Sequence, residues 1–166
     1  MICAWDSCHH VAYLALLEGR LAAMCSYCGC QSLTVIRLLT IQHEQIINKL
    51  GEVRRACELE DAKFASRKAG ELAAMIANHN KLEEDGLFEA LKPDLEFAES
   101  LAKLQAEHQE IDELVGRIGS GEVTAIGELE ITLRNNISNE ENGLFPASAV
   151  TLDGPIWDAM ESAQGI

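Results

Sequence analysis

The stretch NNISNEENGLFPAS runs from Asn135 to Ser148 and aligns without a gap on NHNKLEEDGLFEAL, from Asn78 to Leu91. Glu83 and Glu84 match Glu140 and Glu141, while Gly86, Leu87 and Phe88 match Gly143, Leu144 and Phe145. One polar residue heads each copy, His79 in the first and Asn136 in the second. Glu83 follows His79 by four positions and Glu140 follows Asn136 by four. Each pair therefore shares one face of a helix.

Working outward, four segments carry helical periodicity, over about 32–59, 62–92, 94–118 and 122–142. The first has Ile36, Leu39, Ile46, Leu50 and Val53 at three- and four-residue steps, and His43 fills the gap. The third has Leu101, Leu104, Ile111, Val115 and Ile118, with His108 in the gap. Leu72, Met75 and Leu82 share a stripe with His79, and Ile126, Leu129 and Leu133 lead to Asn136. Each helix thus places one polar residue on the face that is to be buried.

The breaks are legible. CELED near residue 60 ends the first helix, Pro93-Asp94 opens the third, and GSG at 119–121 divides the third from the fourth. Short connections imply antiparallel neighbours, so the expected fold is all-α, an up-down-up-down antiparallel four-helix bundle with a short C-terminal helix. His43 lies 17 residues before position 60 and His79 lies 19 after it. His79 lies 14 before Pro93 and His108 15 after; His108 lies 12 before Ser120 and Asn136 16 after. At about 1.5 Å per residue these offsets agree to within about a turn, placing all four polar residues near one level.

A single histidine on an apolar stripe is commonly a hydrogen-bonded core residue. Several buried at one level are another matter, since each unpaired polar group costs roughly 1–3 kcal/mol. A shared metal satisfies them together, and two inward carboxylates from neighbouring helices can bridge two cations. Imidazole with carboxylate suits iron or manganese, with zinc possible. Glu84, Glu141, Glu44 and Glu107 are turned about 100° aside and are read as capping, solvated or outer groups. The duplication extends further: QHEQIINKL around His43 resembles EHQEIDELV around His108. The chain reads as two helical hairpins, with one metal expected for each.

Composition limits the partners. The 166 residues suit one domain, with three prolines and few aromatics favouring helices over strands. A formal charge of −14 repels phosphate backbones and anionic membrane surfaces, so nucleic acid is not an expected partner. No apolar run approaches the roughly 18 residues of a membrane span, and VAYLALL lacks the flanks of a signal peptide. Six cysteines without a small secreted scaffold suggest a reducing cytoplasm.

Residues 1–31 are expected to form an N-terminal extension, 32–148 the bundle and 149–166 a tail. Within the extension, Cys25, Cys28 and Cys30 form CxxCxC, a spacing that can chelate a separate metal, with Cys8, His9, His10 or Cys57 available as a further ligand. A redox-reactive thiol cluster and a tail without function are the alternatives. Tyr27 is a further candidate for an inward phenolate, and Met24 is read as an alternative start, with 1–23 an upstream extension. In the tail, GPIWDAMESA is expected to form a helix that packs Ile156 and Trp157 over an open end of the bundle.

QHEQI, HNKLEEDGLF, EHQEI and NISNEENGLFP, in that order over about 32–148, resemble the hemerythrin-like, or HHE cation-binding, family. The resemblance implies a four-helix bundle holding an oxo- or hydroxo-bridged di-iron centre that binds or senses dioxygen, or handles nitric oxide or peroxide. It implies His43, His79 and His108 as terminal ligands and Glu83 and Glu140 as bridging carboxylates. Asn136 departs from the pattern, which has histidine there. Its carbonyl binds weakly, or a water takes its place, or the second metal is held less tightly. The leading reading is a non-haem di-iron protein that binds or senses a small oxidant. The alternatives are a di-iron enzyme turning over peroxide or nitric oxide, and a metal-depleted interaction module.

Overall fold

A computed structural model describes residues 29–59 and 61–166. Every element among the described residues is helical. After a 3-10 turn at Cys30–Ser32, α1 spans Thr34–Glu58, α2 Ala62–Leu82, α3 Ala98–Gly119, α4 Ile126–Asn139 and α5 Gly154–Gln164. None of the described helices is long and apolar enough to cross a membrane.

Local chemistry explains the breaks. Asp61 caps α2 by accepting from the amides of Lys63 at 3.1 Å and Phe64 at 3.0 Å. Asp94, freed from the preceding helix by Pro93, accepts from the Glu96 amide at 2.9 Å. The 3-10 turns Leu95–Phe97 and Val123–Ala125 then lead into α3 and α4, so both regular helices begin about four residues later than the periodicity suggests. The fourth segment also runs further than position 142, resuming at Phe145–Thr151. The helix passes Pro146 because a wider turn precedes it, and proline in the first turn of a resumed helix forfeits no required hydrogen bond.

That wider turn has a counterpart. α2 and α4 each pass through a π-helical turn at the matched segments, Glu83–Phe88 and Glu140–Leu144, before resuming as ordinary helix. Each turn starts on the inward glutamate. A π turn inserts one residue's worth of extra arc, so buried residues continue at Leu87 and Phe88, and at Leu144 and Phe145.

From α1 to α4 consecutive helices pack against one another, α1 also packs against α4, and α5 packs against α1. The apolar core is split into two clusters. One holds Ile46, Leu50, Leu72, Ile76, Ile111, Val115, Leu129 and Leu133; the other holds Ile36, Leu39, Leu87, Phe88, Leu104, Leu144 and Phe145. His43 separates the clusters along α1 and His108 separates them along α3. On α2 the stripe is Leu72, Ile76, His79 and Glu83, with Met75 and Leu82 only half-buried. The tail helix α5 buries Trp157 and Met160 against the second cluster, while Ile156 is exposed. Trp157 and Met160 are three apart and share a face; Ile156 is turned about 100° from Trp157 and cannot join them.

Candidate metal centre

Between the two apolar clusters lies a layer of polar side chains. His43, His79, His108 and Asn136 are each 3 % exposed, and Glu83 and Glu140 are fully buried. All six predicted residues therefore point inward. Their level is set by the short turns, and their facing by the three- and four-residue steps of the stripes.

Glu140 is the hub. His43 Nε2 lies 3.0 Å from Glu140 Oε2, and His108 Nε2 lies 3.2 Å from Glu140 Oε1. His43 Nε2 and His79 Nε2 face each other at 3.0 Å. His79 Nε2 stands 4.0 Å from Glu140 Oε2, and His108 Nε2 stands 3.5 Å from Glu83 Oε2. Asn136 Nδ2 donates to Glu140 Oε1 at 2.7 Å.

A second ring of contacts repeats the duplication of the sequence. His43 Nδ1 is 2.8 Å from Glu141 Oε1, and His108 Nδ1 is 2.7 Å from Glu84 Oε1. Matched glutamates thus hold matched histidines, each across a helix boundary. His43 stacks on Phe145 and His108 on Phe88, both at 5.8 Å between ring centroids. His79 Nδ1 meets Gln42 Oε1 at 3.0 Å, and Asn136 Nδ2 reaches Glu107 Oε2 at 3.4 Å. Gln42 precedes His43 as Glu107 precedes His108, so the correspondence holds here too. Glu107 is further held by Asn139 Nδ2 at 2.9 Å.

The electrostatics follow from burial and these pairs. Burial alone would lower the His43 imidazole, but hydrogen bonds with Glu140 and Glu141 push it up to about 9. His108, also desolvated, is raised to about 11 by Glu140, Glu83 and Glu84. His79 is lowered to about 3 by burial and then by the neighbouring His43. Burial and then the adjacent Glu140 raise Glu83. Glu140 is itself desolvated, yet His108 and His43 draw it below the usual carboxylate range.

Two overlapping groups in this layer could hold a metal ion: His43, His79 and Glu140, and Glu83, His108 and Glu140. Within each, the ligand atoms lie within 4.8 Å of one another. Glu140 belongs to both. The donor set fits such ions at one further point. Both carboxylate oxygens of Glu83 are buried with no hydrogen-bond partner among the described residues. His108 Nε2, 3.5 Å from Oε2, offsets this burial only in part. An unpaired buried carboxylate costs several kcal/mol, and a cation would complete the compensation.

Other expectations fare differently. Of the groups read as capping, solvated or outer, Glu84 and Glu141 are the outer partners of two histidines, while Glu44 is exposed. The stripes do not single out Gln42; its position directly before His43, mirrored by Glu107 before His108, is the signal that could have found it. Cys25, Cys28, Tyr27, Met24, Cys8, His9 and His10 lie outside the described residues. Cys30 is buried before α1 and Cys57 near its far end. The 24 residues from Thr34 to Cys57 span about 35 Å of helix, so Cys57 does not complete a site with Cys30. Nor is the layer sealed from solvent. A cleft of ≈ 460 Å³ between α2 and α3, lined by Asn80, Lys81, Glu84, Asp85, His108 and Asp112 among others, reaches the outer side of the His108–Glu84 pair.

The model of the hemerythrin HHE cation-binding domain matches residues 34–148. Neither the comparison with curated proteins nor that with solved structures gives a match. The matched span runs from the first residue of α1 to the buried Ser148 and takes in every residue of the polar layer. By that match the chain belongs to the hemerythrin HHE cation-binding domain family.

Proposed function

We propose that this chain is a non-haem di-iron protein that binds or senses dioxygen or another small oxidant, with manganese or zinc as competing metals. The observation that carries the reading is the sharing of Glu140 between two buried His/Glu groups. His43 and His79 are the terminal ligands of one ion and His108 of the other. Glu140 is the bridge, and Glu83 is the second inward carboxylate. The resemblance gives a bridging role to both glutamates; the shared geometry supports it for Glu140. The up-down-up-down arrangement of α1–α4 is part of the proposal, supported by the short turns and by the packing of α1 on both α2 and α4. So are a cytoplasmic setting, consistent with the six cysteines and the buried thiol of Cys57, and the division into extension, bundle and tail.

When bound, a pair of iron ions would supply redox-active centres able to take a small ligand. The chain's own residues prepare the ligating side chains. Glu141 and Glu84 fix the ring orientation of His43 and His108 and favour Nε2 as the ligating atom. Phe145 and Phe88 stack on the same rings and exclude water from their faces. Asn136 offers an amide where the other three helices offer imidazole, leaving that corner with the weakest donor.

Metal analysis with an optical spectrum of aerobically purified protein tests the reading. Near two irons per chain with charge-transfer bands in the near-ultraviolet are expected. Decay of added peroxide or nitric oxide by catalytic amounts of protein would shift the reading to an enzyme. A chain purified from iron-rich medium without metal would instead favour an interaction module.

A further inference from the structure

The two π turns are matched in sequence but not in surroundings. α5 lays Gln164 across the first, where Gln164 Nε2 donates to the Leu82 carbonyl at 2.7 Å. Leu82 is the residue directly before Glu83. The approach is possible because residue 86 is glycine: a Cβ there would stand 2.2 Å from Gln164 Nε2 and 3.2 Å from its Cδ. A Cβ on the matching Gly143 would meet nothing within 4 Å. Glycine inside a helix costs roughly 0.5–1 kcal/mol relative to alanine, a cost that a contact admitted by the missing Cβ can offset. Gly86 has one.

The donor is itself anchored. Trp157 and Met160 bury the face of α5 against the second apolar cluster, and Trp157 Nε1 donates to the Leu152 carbonyl at 3.1 Å. The helix stops beside Gln164, with Gly165 in the left-handed region at φ 71°. A π turn is a local change of register in which amides reach carbonyls five residues back instead of four. A carbonyl at its edge keeps a lone pair for an outside donor. Holding that carbonyl holds the register at which the next residue enters the core.

We infer that Gln164 is a positioning residue for Glu83: its amide clamps the Leu82 carbonyl and fixes the π turn that aims the Glu83 carboxylate at His108 and Glu140. Retention of metal by the Glu83–His108–Glu140 group then depends on the Gln164 clamp, which acts at the residue before Glu83 and leaves the His43–His79 side to other contacts. This rests on the metal-binding reading above. The clamp gives the two halves of a duplicated site different controls.

The test uses the full chain with Gln164→Met, which keeps length and packing but removes the donor. Gly86→Ala, Gly143→Ala and the double variant Gly86→Ala/Gln164→Ala accompany it. In metal-free protein, amide exchange over residues 83–88 should quicken in Gln164→Met and Gly86→Ala, with residues 140–144 unchanged. In anaerobic titration with Fe(II), one of two sites should weaken about tenfold, as for loss of an outer partner, and the other should hold. Gly143→Ala should behave as wild type, and the double variant should be no worse than either single one. Wild-type exchange and two unchanged affinities in Gln164→Met would overturn the inference. A wild-type chain that binds no second metal ends the metal reading instead, and the clamp then stands or falls on the exchange rates alone.

Discussion

The side-chain amide of Asn136 donates to Glu140 at 2.7 Å, so the residue in the fourth imidazole position grips the shared carboxylate. Its counterpart His79 does otherwise, facing His43 through Nε2 and turning Nδ1 to Gln42. One substitution in the repeat therefore makes a pseudo-twofold site unequal. Glu107 stands beside Asn136 where Gln42 stands beside His79, already placed to accept from the Nδ1 of an imidazole.

Asn136→His should restore the missing donor with its outer partner in place. The metal on the Glu83–His108 side is expected to bind at least about tenfold tighter, given what outer partners alone contribute, and azide should exchange more slowly. Metal titration and stopped-flow absorbance check both. No gain in affinity from Asn136→His would show that Asn136 serves the bound ligand instead of the metal.

Glu83 and Glu140 should differ in kind. Glu140 lies in both metal-capable groups and Glu83 in one. Glu140→Ala is expected to abolish binding of both ions, and Glu83→Ala to leave one. Iron content by elemental analysis decides this; equal losses would contradict it.

Without metal the buried Glu83 carboxylate is a liability, because neither oxygen has a hydrogen-bond partner among the described residues and His108, 3.5 Å away, is already bound to Glu140 and Glu84. Glu83→Leu should stabilise the metal-free chain by about 1–3 kcal/mol while removing its capacity for the second ion. Urea unfolding of demetallated protein measures it, and a destabilised Glu83→Leu chain would mean the carboxylate is already compensated.

Outer partners should matter as much as position implies. Glu84→Ala and Glu141→Ala each free the Nδ1 of a histidine and are expected to weaken metal binding about 10–100-fold. Glu44→Ala, one residue from His43 but exposed, should change nothing. Competition against a chelator of known affinity gives the three values.

Metal uptake should release protons. Despite burial, Glu140 and Glu141 hold the His43 imidazole up to about 9, so in the metal-free fold it is protonated at neutral pH. Only the neutral imidazole ligates. Apparent affinity should therefore rise as pH is raised from about 6.5 to 8.5, and loading in weak buffer should acidify the solution. His79, lowered to about 3 by burial and then His43, is already neutral and contributes no proton. Affinity that is flat across this range would show that His43 enters the site uncharged.

Periodicity alone determined a good part of this protein. The stripes, the four interruptions in them and the spacing of the turns place six residues in one buried layer, because a helix's facing and rise are fixed by residue count. The repeat foretold two halves. Other features needed the tertiary structure. Glu84 and Glu141 look turned aside on a regular helix, yet they meet histidines on neighbouring helices, which local spacing cannot express. The π turns also lie beyond regular counting, since they break the 3.6-residue period at the glutamates themselves. Met160, and not the expected Ile156, joins Trp157 in the core because the facing of α5 is set by the cluster it covers. The contact of Gln164 with Leu82, 82 positions apart, exists only once α5 has folded back onto α2. Residue order decides what each helix presents; packing between helices decides what meets it.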